Sequence, residues 1–476
     1  MLKTIDPSSR PRRRKISAPP ALSAGGPALP EVEGRAGNVA IHTHGCKLNQ
    51  ADSEVLARRF IEAGYMIVDA AEAADVVVLN TCTVTATADS KARQALRAAH
   101  RANPKALIVA TGCYAQRAAE ELSRMEAVSL VVGNTQKDQL VSAVRAALTG
   151  RRIPEQLDPV GRLGTESGGS PEAAARQAPG PATPRSRAMV KIQEGCNQVC
   201  AYCIVPKVRG RERSVAAHSL VAEINYRAGQ GCREVVLTGT QLGSYGYDIP
   251  GASLLRLLRR ILAETEVPRL RVSSLQPQEI TPELLELWQD RRLCPHFHIP
   301  LQSGSDRILR AMRRRYTAAQ FASTVELVRR EVPNAGITSD LIVGFPGEGE
   351  EEFNESRRFA RCMEFSDTHV FPFSPRPGTS ARYLTGQVPG PLQKARTAEI
   401  LEDAAEGFRT FRARQLGQTR PVLWESVRET ETGQAWSGLT DNYIRVRAIE
   451  GGDLRNRIMP ARLLQLSGDF VAVRVL

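Results

Sequence analysis

Three cysteines within eight residues, Cys196, Cys200 and Cys203, have the spacing CxxxCxxC and constrain this chain more than any other feature. No fourth cysteine closes the set, and the next histidine along the chain, His218, falls in a predicted helix. A structural zinc site is normally filled by four Cys or His ligands, so zinc with a distant fourth ligand is the less favoured alternative. Three thiolates favour an iron–sulfur cluster with one iron left open. The sequence therefore predicts a redox site on this loop.

A second set of three cysteines, Cys46, Cys82 and Cys113, is spread along the N-terminal part of the chain. Between residues 38 and 150, short apolar runs alternate with helical periodicity, which predicts βα units on a parallel sheet. The predicted strands are 39–41, 75–79, 106–110 and 129–132. Each cysteine falls just past one of the first three strands, and loops at the carboxyl ends of parallel strands converge. We expect a second three-ligand cluster there; the alternative is three unrelated small buried residues.

The βα alternation returns between residues 188 and 382 and predicts a partial parallel barrel, whose active-site residues gather at the carboxyl ends of the strands. Polar loops follow several of these strands, including Gly239-Thr240-Gln241, Ser274 and Gln302. The six predicted strands are 190–192, 234–237, 270–272, 297–299, 337–342 and 369–371.

The remaining segments predict a tail, a linker and a small terminal domain. Residues 1–37 are predicted to be a disordered basic tail, and the Gly- and Pro-rich residues 151–186 a flexible linker. Residues 392–416 predict one long helix, and strands at 421–424, 443–447 and 470–474 predict a small β-barrel. No apolar run approaches the roughly 20 residues that span a bilayer, and no secretory signal is visible, so we expect a cytoplasmic protein without membrane contact.

An excess of basic residues points to a polyanionic partner. The chain has 64 Lys and Arg against 51 Asp and Glu, a net charge of +13, and nucleic acid is the leading candidate. The predicted RNA contacts are Arg209, Arg211 and Arg213 after the cysteine loop, and Tyr443, Arg445 and Arg447, with Trp436, in the small barrel. The run 313–315 either flanks an RNA-binding mouth or is solvated surface.

These motifs resemble known families. The CxxxCxxC loop with Tyr202 before its third cysteine resembles the radical S-adenosylmethionine (SAM) superfamily. The order of parts resembles the methylthiotransferase family, and the motifs at 45–50, 80–85, 110–116 and 369–374 are similar to the branch that acts on N6-threonylcarbamoyladenosine in tRNA. The resemblance implies an α/β fold with a flavodoxin-like domain at 38–150, a radical SAM partial (β/α)6 barrel at 187–417 and a TRAM-like small all-β barrel at 418–476.

The resemblance also implies cofactors and roles. Cys196, Cys200 and Cys203 would hold a catalytic [4Fe–4S] cluster that cleaves SAM, and Cys46, Cys82 and Cys113 a second cluster that holds the sulfur; two SAM molecules are used per turnover. The predicted SAM contacts are Tyr202, Gly239, Thr240 and Gln241, with Ser274, Gln302 and Asp340 at the ribose and carboxylate. The implied partners are tRNA modified at position 37, an electron donor such as flavodoxin or ferredoxin, and a sulfur source.

Three other functions remain open at this point. The alternative targets are isopentenyladenosine in tRNA and an aspartate of a ribosomal protein, and a non-catalytic iron–sulfur RNA-binding protein is the alternative from another class. Cys232, Cys294 and Cys362 are predicted to be small buried residues. His298, on a barrel strand, is predicted to be a core histidine with satisfied hydrogen bonds, and the alternative is that it lines the site.

Overall fold

The structure, a computed structural model, describes residues 36–150, 186–431 and 433–476. The predicted tail up to residue 35 and the predicted linker over residues 151–185 lie outside the described residues. Gly37, assigned to the tail from sequence, is instead the first residue of a strand.

The N-terminal domain is a five-stranded parallel sheet with the order β2-β1-β3-β4-β5. This is the flavodoxin-like order, so the predicted fold of this domain is confirmed. The central strand β3 is buried at all six residues, as expected where helices cover both faces of a parallel sheet. Its strands are β1 Gly37–Thr43, β2 Tyr65–Val68, β3 Val76–Thr81, β4 Leu107–Gly112 and β5 Leu130–Val132, and its helices α1 Lys47–Glu62, α2 Ala86–Ala102, α3 Cys113–Arg117, α4 Ala119–Ser123 and α5 Leu140–Leu148.

The central barrel contains all six predicted strands in two three-stranded parallel sheets, β10-β9-β6 and β11-β12-β13. Isolated parallel bridges, Leu270 with Leu293 and Ser274 with His298, join the two sheets into the predicted partial barrel. The strands are β6 Arg187–Lys191, β9 Glu234–Thr238, β10 Arg269–Val272, β11 His296–His298, β12 Gly336–Val343 and β13 Asp367–Pro372. The helices are α6 Val205–Arg209, α7 Ala217–Gly229, α8 Leu254–Glu264, α9 Pro282–Leu285, α10 Asp306–Ala311, α11 Ala318–Glu331 and α12 Glu350–Cys362.

A short antiparallel ribbon fixes both ends of the CxxxCxxC loop. Strand β7, Gln193–Glu194, pairs with β8, Arg213–Ser214. The cysteines lie between these two strands, so the loop is closed at its base by backbone hydrogen bonds.

A long helix, α13 Gly390–Arg414, leads into a closed five-stranded barrel with the order β14-β15-β16-β18-β17. The predicted small barrel is therefore confirmed. Trp436 is only 2% exposed in its core, so the prediction that this ring stacks on RNA is wrong. The strands are β14 Thr419–Thr430, β15 Gly433–Thr440, β16 Arg445–Ile449, β17 Ile458–Ser467 and β18 Phe470–Val475.

Among the described helices, none combines the length and the apolar character that crossing a membrane requires.

Candidate cluster and substrate site

The first cysteine set, Cys46, Cys82 and Cys113, lies at one edge of the N-terminal sheet. Cys82 and Cys113 directly follow β3 and β4, and Cys46 comes three residues after β1 ends. These strands are neighbours in the sheet, about 4.8 Å apart. A Cβ on Gly45, the residue before Cys46, would lie 3.3 Å from the Cys82 sulfur. Burial raises the pKa of Cys82 to about 12, and the neighbouring thiols of Cys113 and Cys46 also raise it. The expected convergence of strand ends therefore brings these three thiols together.

Gly112 sets the position of Cys113. Its φ is +96°, and a Cβ there would lie 2.4 Å from the carbonyl oxygen of Thr81. Only glycine adopts this conformation against the neighbouring strand without strain. The chain can therefore turn sharply from β4 into α3 and present the Cys113 thiol at the sheet edge.

The second cysteine set, Cys196, Cys200 and Cys203, lies on the loop between β7 and β8. The Cys196 N–H donates to the Gly210 carbonyl oxygen at 3.1 Å, and the Cys203 N–H donates to that of Cys200 at 3.1 Å. Burial raises the pKa of Cys196 to about 11 and that of Cys203 to about 12. It also raises the pKa of Tyr202, beside the third thiol, well above its usual value.

The thiols of each cysteine set lie too far apart for all three to bind one metal ion. Ligand sulfurs of one tetrahedral zinc ion lie about 3.8 Å apart. Among the described residues, the only three His, Cys, Asp or Glu side chains with ligand atoms within 4.8 Å of one another are His298, Asp340 and His369. In neither cysteine set do all three sulfur atoms lie within 4.8 Å of one another. Sets of three thiols suit a [4Fe–4S] cluster with an open iron.

The two cysteine sets lie on adjoining segments. Cys113 packs against Ile204 and Val208 in a small buried cluster. The Asn134 side-chain amide donates to the Val208 carbonyl oxygen at 2.8 Å and lies 3.5 Å from the Cys113 sulfur. Because Ile204 directly follows Cys203, one set touches the segment that carries the other.

A buried charge network locks this arrangement, and it corrects one prediction. Arg209 is 4% exposed, and its guanidinium donates to Asp52, Asn49 and Glu194. It therefore joins α6 of the central barrel to α1 of the N-terminal domain, and the prediction that Arg209 contacts RNA is wrong. Asp52 is also paired with two lysines, Lys137 at 2.7 Å and Lys191 at 2.8 Å. Arg211 and Arg213 are exposed, and their RNA contacts remain predictions.

The loop predicted to hold SAM is shaped by Gln193. The side-chain oxygen of Gln193 accepts hydrogen bonds from the backbone N–H groups of Thr240 and Gln241, both at 3.0 Å. A Cβ on Gly239 would lie 2.9 Å from the Gln193 carbonyl oxygen. The Thr240 hydroxyl is buried and has no hydrogen-bond partner among the described residues. A buried hydroxyl without a partner fits a polar ligand atom at this loop.

A polar network that the sequence did not reveal links this loop to the second cysteine set. The side-chain amide of Gln241 donates to Glu279, and that of Gln276 donates to Gln241. Arg314 donates to the Gln276 side-chain oxygen at 3.2 Å and to the Cys200 sulfur at 3.5 Å. Gln276 and Glu279 follow β10, so the strand-end rule could have found them. Nothing in the run 313–315 marked Arg314 as the arginine that turns inward.

The other predicted SAM contacts are arranged around Asp340. The backbone N–H of Gln302, at φ +68°, donates to the Asp340 carbonyl oxygen at 2.8 Å. Ser274 forms an isolated parallel β-bridge with His298. The Asp340 carboxylate accepts from His298 at 3.1 Å and His369 at 3.0 Å. Burial opposes ionisation of Asp340, but these hydrogen bonds prevail and lower its pKa. SAM contacts by Ser274, Gln302 and Asp340 remain predictions.

His298 is fully hydrogen-bonded, as expected. Its second ring nitrogen lies 3.0 Å from the Thr338 hydroxyl. His369 is half exposed beside it, and its hydrogen bond to Asp340 raises its pKa.

Tyr443 points into the central barrel and not across the surface of the small barrel. Its ring stacks on His296 with centroids 4.2 Å apart, and the Arg271 guanidinium lies 5.0 Å from the ring centroid. Arg445 and Arg447 are exposed. The structure therefore separates Tyr443 from the two arginines with which it was predicted to bind RNA.

Of the remaining cysteines, Cys232 and Cys294 are buried as predicted. Cys362 is exposed, so that prediction is wrong; it is the last residue of α12, where the helix face leaves the core.

Comparison with known proteins identifies the family. Residues 38–133 match the model described as "Uncharacterized protein family UPF0004", and residues 190–360 match that of the radical SAM superfamily. The chain is 36% identical to the threonylcarbamoyladenosine tRNA methylthiotransferase MtaB of Bacillus subtilis, over 91% of this chain and 96% of the relative. It is 38% identical to the Aquifex aeolicus protein of the same name, over 86% and 96%. It is 33% identical to a tRNA-2-methylthio-N(6)-dimethylallyladenosine synthase of Syntrophotalea carbinolica, over 89% and 96%. The chain therefore belongs to the radical SAM methylthiotransferase family.

Proposed function

We propose that this protein replaces the C2 hydrogen of N6-threonylcarbamoyladenosine, at position 37 of tRNA, with a methylthio group. The observation that carries the proposal is the contact of Cys113 with Ile204 and Val208, which sets two open three-thiol groups side by side. Relatives that cover nearly the whole chain carry the name of this activity.

The cofactors of this enzyme family are SAM and [4Fe–4S] clusters, which supply radical chemistry, sulfur and a methyl group when bound. In the proposal, the chain orients these groups and the nucleobase. Gln193 holds the backbone of Thr240 and Gln241 in place for SAM. Arg314 orients the Cys200 thiol. Arg209 keeps the two cysteine sets in register through Asp52 and Asn49.

The reaction consumes electrons and sulfur that the polypeptide itself does not carry. The proposal therefore includes a one-electron donor such as flavodoxin or ferredoxin and a source of sulfur. tRNA is the substrate, and the basic excess of the chain suits it.

Mass spectrometry of nucleosides from tRNA tests the proposal. A strain that lacks the gene should accumulate N6-threonylcarbamoyladenosine and lose its 2-methylthio form, and the wild-type gene should restore it. Cys82→Ala should fail to restore it, whereas the matched control Cys362→Ala should succeed, because Cys362 is exposed on α12 away from both sets. Loss of the methylthio group from dimethylallyladenosine alone would contradict the proposal.

A further inference from the structure

We propose that Lys47 binds the carboxylate of the N6-threonylcarbamoyl group and thereby selects this nucleoside over adenosines with uncharged N6 substituents. The inference rests on the proposed function. It assigns a specificity-determining contact to a residue beside the first cysteine set.

Lys47 projects from the N-terminal domain into the central barrel. It is the first residue of α1 and directly follows Cys46. Helix α1 packs against the barrel through Ala51, which lies in a buried cluster with Met189 and Val236 of β6 and β9. The Lys47 ammonium lies 5.9 Å from the ring centroid of Tyr443. One residue therefore connects the first cysteine set to the barrel interior.

The ammonium group of Lys47 has no hydrogen bond or ion pair within the part of the chain that the structure describes. Glu234 is the acid that interacts with it electrostatically. That carboxylate is already paired with Arg269 at 2.8 Å and Arg271 at 2.9 Å. Lys47 is partly buried, and the positive charges of Arg271 and Arg187 act on it. An unpaired cation in such a site is unfavourable, and a bound anion would relieve the cost.

Asp340 and Glu425, two acids on neighbouring parts of the barrels, add no unpaired negative charge, and Glu425 is paired with Arg187. Both oxygens of Asp340 accept hydrogen bonds from histidines, His298 and His369. His296, which is stacked on Tyr443, is held neutral by burial. The surroundings of Lys47 therefore favour an anionic ligand.

The geometry of the substrate supplies such an anion in the right place. In adenine, C2 and C6 flank N1, so a substituent on N6 extends along the same ring edge that presents C2. If C2 faces Cys46, Cys82 and Cys113, the substituent lies beside the residues next to those cysteines, where Lys47 is found. In that placement the threonyl carboxylate comes within reach of the Lys47 ammonium.

Binding of modified anticodon stem–loop RNAs tests the role of Lys47. One RNA carries N6-threonylcarbamoyladenosine, and its partner carries the same group with the threonine carboxylate replaced by a carboxamide. Dissociation constants are measured with the cluster-loaded protein, without SAM, at one fixed salt concentration. We expect wild-type protein to prefer the carboxylate RNA by about tenfold or more, as for a hydrogen bond to a charged group.

Variants separate a charge contact from a general effect on folding. Lys47→Gln should bind the carboxamide RNA as wild type does but lose the preference, and Lys47→Arg should keep most of it. The matched control is Lys105→Gln. It lies in an exposed turn before β4, at the opposite edge of the same sheet.

The outcomes distinguish this inference from the function on which it rests. If Lys47→Gln keeps the full preference, or if wild type methylthiolates the carboxylate RNA but binds both RNAs equally, the role of Lys47 is overturned and the function stands. If wild type methylthiolates neither RNA, the proposed function fails and the inference falls with it. If Lys47 instead contacts a phosphate, Lys47→Gln should weaken the binding of both RNAs equally, and this result also contradicts the inference.

Discussion

Arg314 places a fixed positive charge beside the second cysteine set, 3.5 Å from the Cys200 sulfur. A cation near a reducible cluster stabilises its more negative, reduced form. Arg314→Gln should therefore lower the reduction potential of this cluster and weaken its retention, measured by an EPR-monitored redox titration. Arg315→Gln is the matched control, because Arg315 is exposed. Equal potentials in wild type and Arg314→Gln would contradict this role.

Glu234 gives the protein a defined dependence on pH. Burial opposes its ionisation, but Arg271 and Arg269 prevail and lower its pKa to about 2. A carboxylate whose pKa is lower in the folded state contributes stability above its unfolded pKa of about 4.3, and that stability is lost as pH falls toward 2. The contribution is about 3 kcal/mol.

The test is urea unfolding of cluster-free protein from pH 7 to pH 3. Glu234→Gln should be less stable at pH 7, because two buried arginines lose their partner. Its midpoint should fall less steeply with acid than that of wild type. Glu266→Gln, which changes an exposed glutamate, should follow the wild-type curve. Parallel curves for wild type and Glu234→Gln would refute the assignment.

At the scale of single elements, the turn from β4 into α3 depends on Gly112. Gly112→Ala would place a methyl group against backbone atoms of Thr81 at a positive φ, and should cost more than about 2 kcal/mol. Because Cys113 follows, we also expect less iron at the first cysteine set. Gly229→Ala, at the end of α7 with open space around it, should leave thermal stability and iron content unchanged or slightly raised. If Gly112→Ala keeps the thermal stability and the iron content of wild type, this role of Gly112 is contradicted.

Strong periodic elements were predictable from the sequence, and short or irregular ones were not. The buried apolar runs of β1, β3 and β4 predicted a parallel sheet, and the ends of these strands predicted where three cysteines lie. Strand β2 has only four residues and leaves Met66 exposed, so it carries no clear pattern. Strand β15 contains two glycines, and β17 is interrupted by Pro460, which hid two strands of the small barrel.

The sequence predictions that failed at the site concern the direction in which side chains point. A sequence shows that Arg209 and Arg314 are basic but not that they turn inward toward Asp52 and Cys200, because those contacts join segments far apart in the chain. For the same reason, the sequence did not reveal that Tyr443 packs against the central barrel, apart from Arg445 and Arg447. Alternation along a strand would place residues 443, 445 and 447 on one face. Tyr443 instead precedes β16 and has a φ of +76°, so the alternation does not extend to it.

At the scale of the whole molecule, the small barrel is held against the central barrel by arginines. Arg269 donates to the carbonyl oxygens of Leu439 and Thr440, and Arg271 to that of Asp441. These contacts leave Arg445 and Arg447 exposed on β16. The small barrel therefore presents an exposed basic strand in a fixed position relative to the central barrel.

Replacing both Arg445 and Arg447 by Gln should weaken tRNA binding and reduce the slope of log affinity against log salt by about 2, if each arginine meets one phosphate. Filter binding between 50 and 200 mM salt, roughly the range over which such contacts respond, measures it. Arg256→Gln with Arg259→Gln on α8 makes the same charge change on the outer barrel surface and should alter neither value. An unchanged slope in the β16 variant would exclude these residues from the RNA interface.

Counting iron and sulfide on anaerobically purified protein tests the central claim most directly, namely that two separate cysteine sets each hold a cluster. We expect about eight irons per chain for wild type, and about four after Cys46, Cys82 and Cys113 are all replaced by Ala. Replacement of Cys196, Cys200 and Cys203 should likewise leave about four. About four irons in wild type, or loss of all iron from either triple variant, would contradict the claim.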